Sequence, residues 1–169
     1  MSEPIEVVYG KDSVKAGELT SEHFTDNVLL NFVKENVGTT VEAVKNYTGK
    51  LDLSNLEITN INGLALFENV EEIDLSNTNI TTIEKQTFSG AVKKISLKDC
   101  SELVKVEKNA FTHAVNLKEL DITGCESLEI LSANNTTLEK LTYGNIETFK
   151  NLISLDLSSS RFENVWIFP

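Results

Sequence analysis

One short phrase recurs along this chain and limits what it can fold into: an apolar residue, any residue, then a second apolar residue. It appears as Leu51-Asp52-Leu53, Ile73-Asp74-Leu75, Ile95-Ser96-Leu97, Leu120-Asp121-Ile122, Leu141-Thr142-Tyr143 and Leu155-Asp156-Leu157. Its first residues are 22, 22, 25, 21 and 14 positions apart. A repeat period in this range is the mark of stacked supersecondary units. A three-residue extended piece sends alternate side chains to opposite faces. Leu51, Leu53 and their counterparts therefore point inward and stack on the coils above and below. One coil cannot cover its own apolar face, but several stacked coils share a continuous core. Ile58, Ile61, Leu64, Ile80, Ile83, Val106 and Leu131 close each coil on the far side. Each buried Leu or Ile contributes roughly 1.5–3 kcal/mol relative to exposure. The last interval of 14 residues predicts an abbreviated turn near residues 144–151.

The stretch from Val70 to Ile83 reads LxxLxLxxNxLxxL, with Val or Ile for Leu and Thr78 in the Asn place. This pattern resembles the leucine-rich repeat. Two finer resemblances follow. Ile83-Glu-Lys-Gln-Thr-Phe88 and Val106-Glu-Lys-Asn-Ala-Phe111 look like the phrase of BspA-like bacterial surface repeats, whose Phe88 and Phe111 would plug the convex side. Leu-Asp-Leu-Ser-Asn at 51–55 and Ile-Asp-Leu-Ser-Asn at 73–77 look like the internalin type. The resemblance covers about residues 46–160. It implies an α/β solenoid, a right-handed leucine-rich repeat superhelix with a short parallel sheet and an N-terminal helical cap. It further implies an extracellular or cell-surface bacterial protein that recognises other molecules, as in adhesion, through an exposed sheet.

The expected organisation is a lead-in and helical cap over 1–45, about six coils over 46–160, and an apolar tail over 161–169. Residues 21–36 read as an amphipathic helix with Phe24, Val28 and Phe32 in one row beside Leu29 and Val33. Ser21 or Thr25 is positioned to cap its start, and Gly38 to end it. A second short helix is expected from Thr40 to about Asn46. Residues 1–20 carry one apolar alternation, Ile5-Glu-Val7, and otherwise look like a loose lead-in. The tail Val165-Trp166-Ile167-Phe168 is apolar, which on an open sheet edge invites association. Three explanations stay open: the tail folds back over the last coil, it pairs with another chain, or the chain is a piece of a longer protein.

Composition excludes several classes of partner. Fifteen basic against 26 acidic side chains give a net charge of −11. Such a surface is repelled by nucleic-acid phosphates and by anionic lipid. No apolar run approaches the roughly 20 residues of a membrane-spanning helix. The start, Met1-Ser2-Glu3-Pro4, is not a signal peptide, so either the protein stays in the cytoplasm or an export signal has been removed.

No catalytic constellation emerges, and no cofactor or metal is expected. The nucleophile-elbow, zinc-protease, phosphate-loop and calcium-loop motifs are all missing. Cys100 and Cys125, the two cysteines, each stand five residues after the start of a phrase, in the repeat's Asn slot. Buried reduced thiols are the expectation, with a disulfide as the alternative. His23 and His113 read as ordinary surface residues. Asn46-Tyr-Thr48, Asn79-Ile-Thr81 and Asn134–Thr137 match the N-glycosylation acceptor, a motif frequent by chance.

The outward face of the strands is the informative surface. Before each phrase stand Lys50, Glu72, Lys94, Glu119, Lys140 and Ser154, whose charge alternates through five coils. Such cross-strand pairs contribute roughly 0.2–1 kcal/mol each. One column in, Asp52, Asp74, Ser96, Asp121, Thr142 and Asp156 form a mostly acidic stripe. One further, Lys98 stands out among small residues. Two readings of this face compete: a solvated, self-compensating ladder, or a platform for a basic or polyhydroxylated ligand. The expected function is non-catalytic recognition of protein or glycan, with a structural spacer in a larger surface protein as the alternative.

Overall fold

The computed structural model describes residues 17–145 and 149–161. The lead-in pair Ile5 and Val7 and the tail residues Val165, Trp166, Ile167 and Phe168 lie outside them.

The chain forms a parallel β-solenoid with strands on two sides. Five strands make the first sheet: β1 (Leu51–Asp52), β2 (Glu72–Asp74), β4 (Lys94–Ser96), β6 (Glu119–Asp121) and β8 (Lys140–Thr142). Four make the second: β3 (Thr82–Ile83), β5 (Lys105–Val106), β7 (Ile130–Ser132) and β9 (Ser154–Asp156). In the first sheet Leu51 lies beside Ile73, Ile73 beside Ile95, Ile95 beside Leu120 and Leu120 beside Leu141. The backbone ladder runs on past the strands: the amides of Leu53, Leu75, Leu97 and Ile122 donate to the carbonyls of Asp74, Ser96, Asp121 and Thr142. Leu53, Leu75, Leu97 and Ile122 form one file with no exposed surface.

The sixth phrase departs from expectation. Leu155 pairs with Leu131 in the second sheet, not with Leu141 in the first. The second sheet has its own period: Ile83 lies beside Val106 and Val106 beside Leu131, at intervals of 23, 25 and then 24 to Leu155. Thus no turn is abbreviated near residues 144–151, and the interval of 14 runs from one sheet to the other. Asp156 and Ser154 do not belong to the first sheet's outward columns.

What turns the chain at each corner is local. Asn55, Asn77, Asp99 and Gly124, each four residues after the start of a phrase, have φ of 60°, 56°, 57° and 77°. Asn135 and Ser159 repeat this after β7 and β9, with φ of 56° and 61°. Left-handed backbone costs most residues about 1–2 kcal/mol, and Gly, Asn and Asp bear it best. The phrase thus encodes a strand and a corner, and either side of the coil uses it.

Inside, Phe88 and Phe111 are fully buried and stack with centroids 5.4 Å apart. Their parallel offset is the arrangement that repeated Phe adopts when identical coils are piled up. The Asn slot holds Thr78, Cys100 and Cys125. Thr78 Oγ1 and Cys100 Sγ both donate to the Leu75 carbonyl, at 2.8 and 3.1 Å, and Cys125 Sγ donates to Leu97 at 3.0 Å. The thiols are buried and unbridged, tying each coil to the one before it.

At the N-terminal end, helix α1 spans Asn27–Asn36 and helix α2 spans Val41–Asn46. The first is shorter than its pattern suggests. Neither Ser21 nor Thr25 caps it; Asp26 does, its Oδ1 accepting from the amides of Val28 and Leu29. The late start shifts the buried face to Leu29, Leu30 and Val33 and leaves Val28 42% exposed. Phe24 is buried before the helix begins and packs on Phe67, centroids 6.2 Å apart. Gly63, with φ of 104°, passes so close to the His23 carbonyl and the Phe24 ring that no side chain fits there. Asp26 Oδ2 accepts from the amides of Thr59 and Asn60, at 2.9 and 3.3 Å, binding the helix start to the first coil.

Candidate functional site

The outward side of the first sheet carries the charged columns. Period-two alternation leaves Lys50, Glu72, Lys94 and Lys140 exposed and Glu119 half-buried while Ile73, Ile95 and Leu120 point into the core. Glu72 lies beside Lys94, Lys94 beside Glu119, and Glu119 beside Lys140. The register of the ladder is therefore as expected, but close ion pairs are fewer. Lys140 Nζ reaches Glu119 at 3.8 Å, while Lys50 turns diagonally to Asp74 at 2.9 Å and lies 3.7 Å from Asp52. Asp52 and Asp74 are direct neighbours across the strands, and Lys50 offsets their repulsion.

The acidic column is engaged in holding the backbone. Asp52, Asp74 and Asp121 each accept from the amide two residues on, at Ser54, Ser76 and Thr123, over 3.1, 3.1 and 2.9 Å. Asp156 does the same for Ser158 on the opposite side of the solenoid, at 3.0 Å. This Asx turn satisfies an amide that the corner would otherwise leave unpaired. It also explains why Leu-Asp-Leu-Ser occurs in both sheets. The Ser54 hydroxyl and amide hold the Asp52 carboxyl below the ordinary range. Burial works against ionisation of Asp74, but the Ser76 hydroxyl and Lys50 outweigh it and hold that carboxyl low too. For Lys50 the matching hydrogen bond to Asp74 raises its pKa.

Sequence reasoning missed the hydroxyl pair Ser76 and Ser96, whose Oγ atoms are 2.8 Å apart between the second and third coils. Around them Lys50, Glu72, Asp74, Lys94 and Asp121 rim an open depression of about 210 Å³ over Ile73. Six of the expected face residues, Asp52, Glu72, Asp74, Lys94, Glu119 and Asp121, are thus brought together, with Lys140 at the far end. Lys98 stands beyond the strand at a corner, 3.9 Å from Asp99. Only Asp156 is excluded.

The sequence over residues 24–160 matches the family model described as the endo-β-N-acetylglucosaminidase EndoS leucine-rich repeat domain. The chain belongs to this leucine-rich repeat domain family. No curated protein matches it.

As a leucine-rich repeat domain, this one offers little acid–base or metal chemistry. Among the described residues no group of three or more His, Cys, Asp or Glu side chains could hold a metal ion. Burial pushes both thiols up, which keeps them protonated and poor nucleophiles. No helix among the described residues is long and apolar enough to cross a membrane. What the outward face can do is contact another molecule, and its size limits how. Five strands spaced about 4.8 Å span roughly 19 Å, and three or four residues along each cover roughly 10–13 Å. The strip is about 200–250 Å², against the roughly 800 Å² each partner buries in a standard protein interface.

Proposed function

We propose that this leucine-rich repeat domain is a non-catalytic recognition module, acting at a bacterial cell surface and binding a glycan or protein through the outward face of its first sheet. The observation that carries the reading is the depression over Ile73, where carboxylates, ammonium groups and the Ser76–Ser96 hydroxyl pair converge on one open surface. Alternating donors and acceptors at this spacing suit a polyhydroxylated ligand. The small area implies weak contacts made stronger by neighbouring modules.

The finer family features belong to the same reading. The Phe88 and Phe111 phrases favour kinship with BspA-like surface repeats, and the Leu-Asp-Leu-Ser-Asn phrases favour the internalin type. The superhelix is right-handed, because crossovers between parallel strands overwhelmingly take that hand. Helices α1 and α2 serve as its N-terminal cap, a role supported by Phe24 on Phe67 and by Asp26 bridging the helix to Thr59.

A second reading has its own support. The matched family takes its name from an endo-β-N-acetylglucosaminidase, in which a repeat domain accompanies an enzyme. On that ground this chain is a positioning domain of a larger secreted protein. One experiment separates the two. The domain is applied to an array of N-acetylglucosamine-containing oligosaccharides and host matrix proteins, alongside Lys94→Glu and Lys98→Glu variants. Binding lost in both variants, with unchanged thermal melts, supports recognition. Binding that both variants retain would discard the face as the site, and no binding by the wild type favours the positioning role.

A further inference from the structure

We propose that residues 162–167 form a sixth rung of the first sheet, stacked on β8, and that this rung places Trp166 on the recognition face as a saccharide contact. The rung rests on register alone; only the saccharide role rests on the function proposed above.

Three apolar positions, with gaps of three and then two residues, recur in each rung of the first sheet. They are Val70, Ile73 and Leu75 in the second rung and Leu138, Leu141 and Tyr143 in the fifth. Phe162, Val165 and Ile167 repeat both gaps, each 24 residues beyond its counterpart in the fifth rung. The second sheet climbs by the same 24 residues from Leu131 to Leu155.

Hydrogen bonding carries the chain to the start of that rung. The Arg161 amide donates to the Leu138 carbonyl at 3.0 Å. One coil lower, Thr137 Oγ1 donates to the Leu117 carbonyl, also at 3.0 Å. Thr137 immediately precedes Leu138, and Arg161 immediately precedes Phe162. The chain has risen one rung by Arg161.

Burial points the same way. Val70, Ile73 and Leu75 are at most 2% exposed, whereas Leu141 and Tyr143 are only partly buried at the last described rung. An apolar strand edge left in that state is an association hazard. The segment of matching pattern, 162–167, is the occupant within reach.

Alternation along that rung turns Val165 and Ile167 inward and Trp166 outward, in the column of Asp121 and Thr142. Indole presents a broad apolar face and an N–H donor. Beside the Asp121 carboxylate, it suits a sugar ring, which offers C–H groups to the indole and hydroxyls to the carboxylate. Trp166 is the one tryptophan of the chain, so its emission reports on this position alone.

The test uses the full chain with Val165→Asp, Trp166→Asp and Ile167→Asp as single variants. Val165→Asp and Ile167→Asp are expected to lower Tm by about 5–10 °C and Trp166→Asp by no more than about 2 °C. Equal losses at all three positions, or none, would overturn the rung. So would a concentration-dependent dimer abolished by Val165→Asp, since a second copy would then hold the edge. With the alternation established, Trp166 emission is titrated with N,N′-diacetylchitobiose. A saturable change supports the saccharide contact. A flat titration overturns that contact and leaves the rung standing. Array binding that Trp166→Ala does not weaken overturns the Trp166 role while the recognition function survives.

Discussion

Leu155 lies directly beside Leu131 in the second sheet, 24 residues up the chain, although its Leu-Asp-Leu-Ser phrase matches those of the first sheet. The pairing makes the solenoid regular: every rise, on either side, takes between 21 and 25 residues.

This pairing predicts an asymmetry. Leu131 is fully buried between coils, whereas Leu155 is only partly covered. Leu131→Ala should cost about 2–5 kcal/mol, and Leu155→Ala should cost roughly half as much or less. Urea unfolding of the two variants measures the difference, and equal costs would contradict the arrangement.

Acid should loosen the strand corners. Asp26, Asp52 and Asp74 are all held below the ordinary value of 3.8. A carboxyl whose folded pKa is depressed contributes stability above its unfolded pKa and loses it as pH falls through the folded one. Tm should therefore change little from these groups between pH 7 and 5, then drop below about pH 4. Asp74→Asn keeps an oxygen for the Ser76 amide but loses the charge that Lys50 meets, so it should cost about 0.5–1.5 kcal/mol at pH 7. Its acid drop should also be shallower than the wild type's.

Both thiols should be silent in the folded protein. Cys100 and Cys125 are fully buried, each donates to a carbonyl of the preceding coil, and burial raises both pKa values. Ellman's reagent should titrate no thiol in native buffer and two in denaturant. A thiol reacting at pH 7 without unfolding would show the column to be open.

One corner is spelled with an ill-suited residue. Gln86 has φ of 60° on an exposed turn, where the equivalent position one coil up holds Asn109 at 69°. Gln86→Asn should raise stability by about 0.5–1 kcal/mol, because Asn tolerates the left-handed region better than Gln. Thermal melting measures the gain, and a lower Tm would mean that the Gln side chain contributes something beyond the turn.

Much of the fold was legible in residue order because each coil is built from local rules. Alternation decides which residues of Ile73-Asp74-Leu75 face the core, and hydrophobic spacing decides that coils of about two dozen residues stack. The cysteine slot and the Phe88 and Phe111 plugs follow from repetition alone. The columns of the face were equally legible for Glu72, Lys94 and Glu119, since neighbouring strands inherit their alignment from the repeat.

Tertiary structure decided what local pattern leaves degenerate. A strand followed by an Asx turn has the same residues on either side of a coil, so only the pairing of Leu155 with Leu131 assigns Asp156 to the second sheet. Helix α1 begins at Asn27 instead of the early twenties because Asp26 gains partners at Thr59 and Asn60, more than thirty residues away. Lys50 chooses Asp74 over a partner in its own column because two carboxylates lie within its reach. In each case residues distant in the chain compete for one group, and that competition is settled only when the coils are stacked.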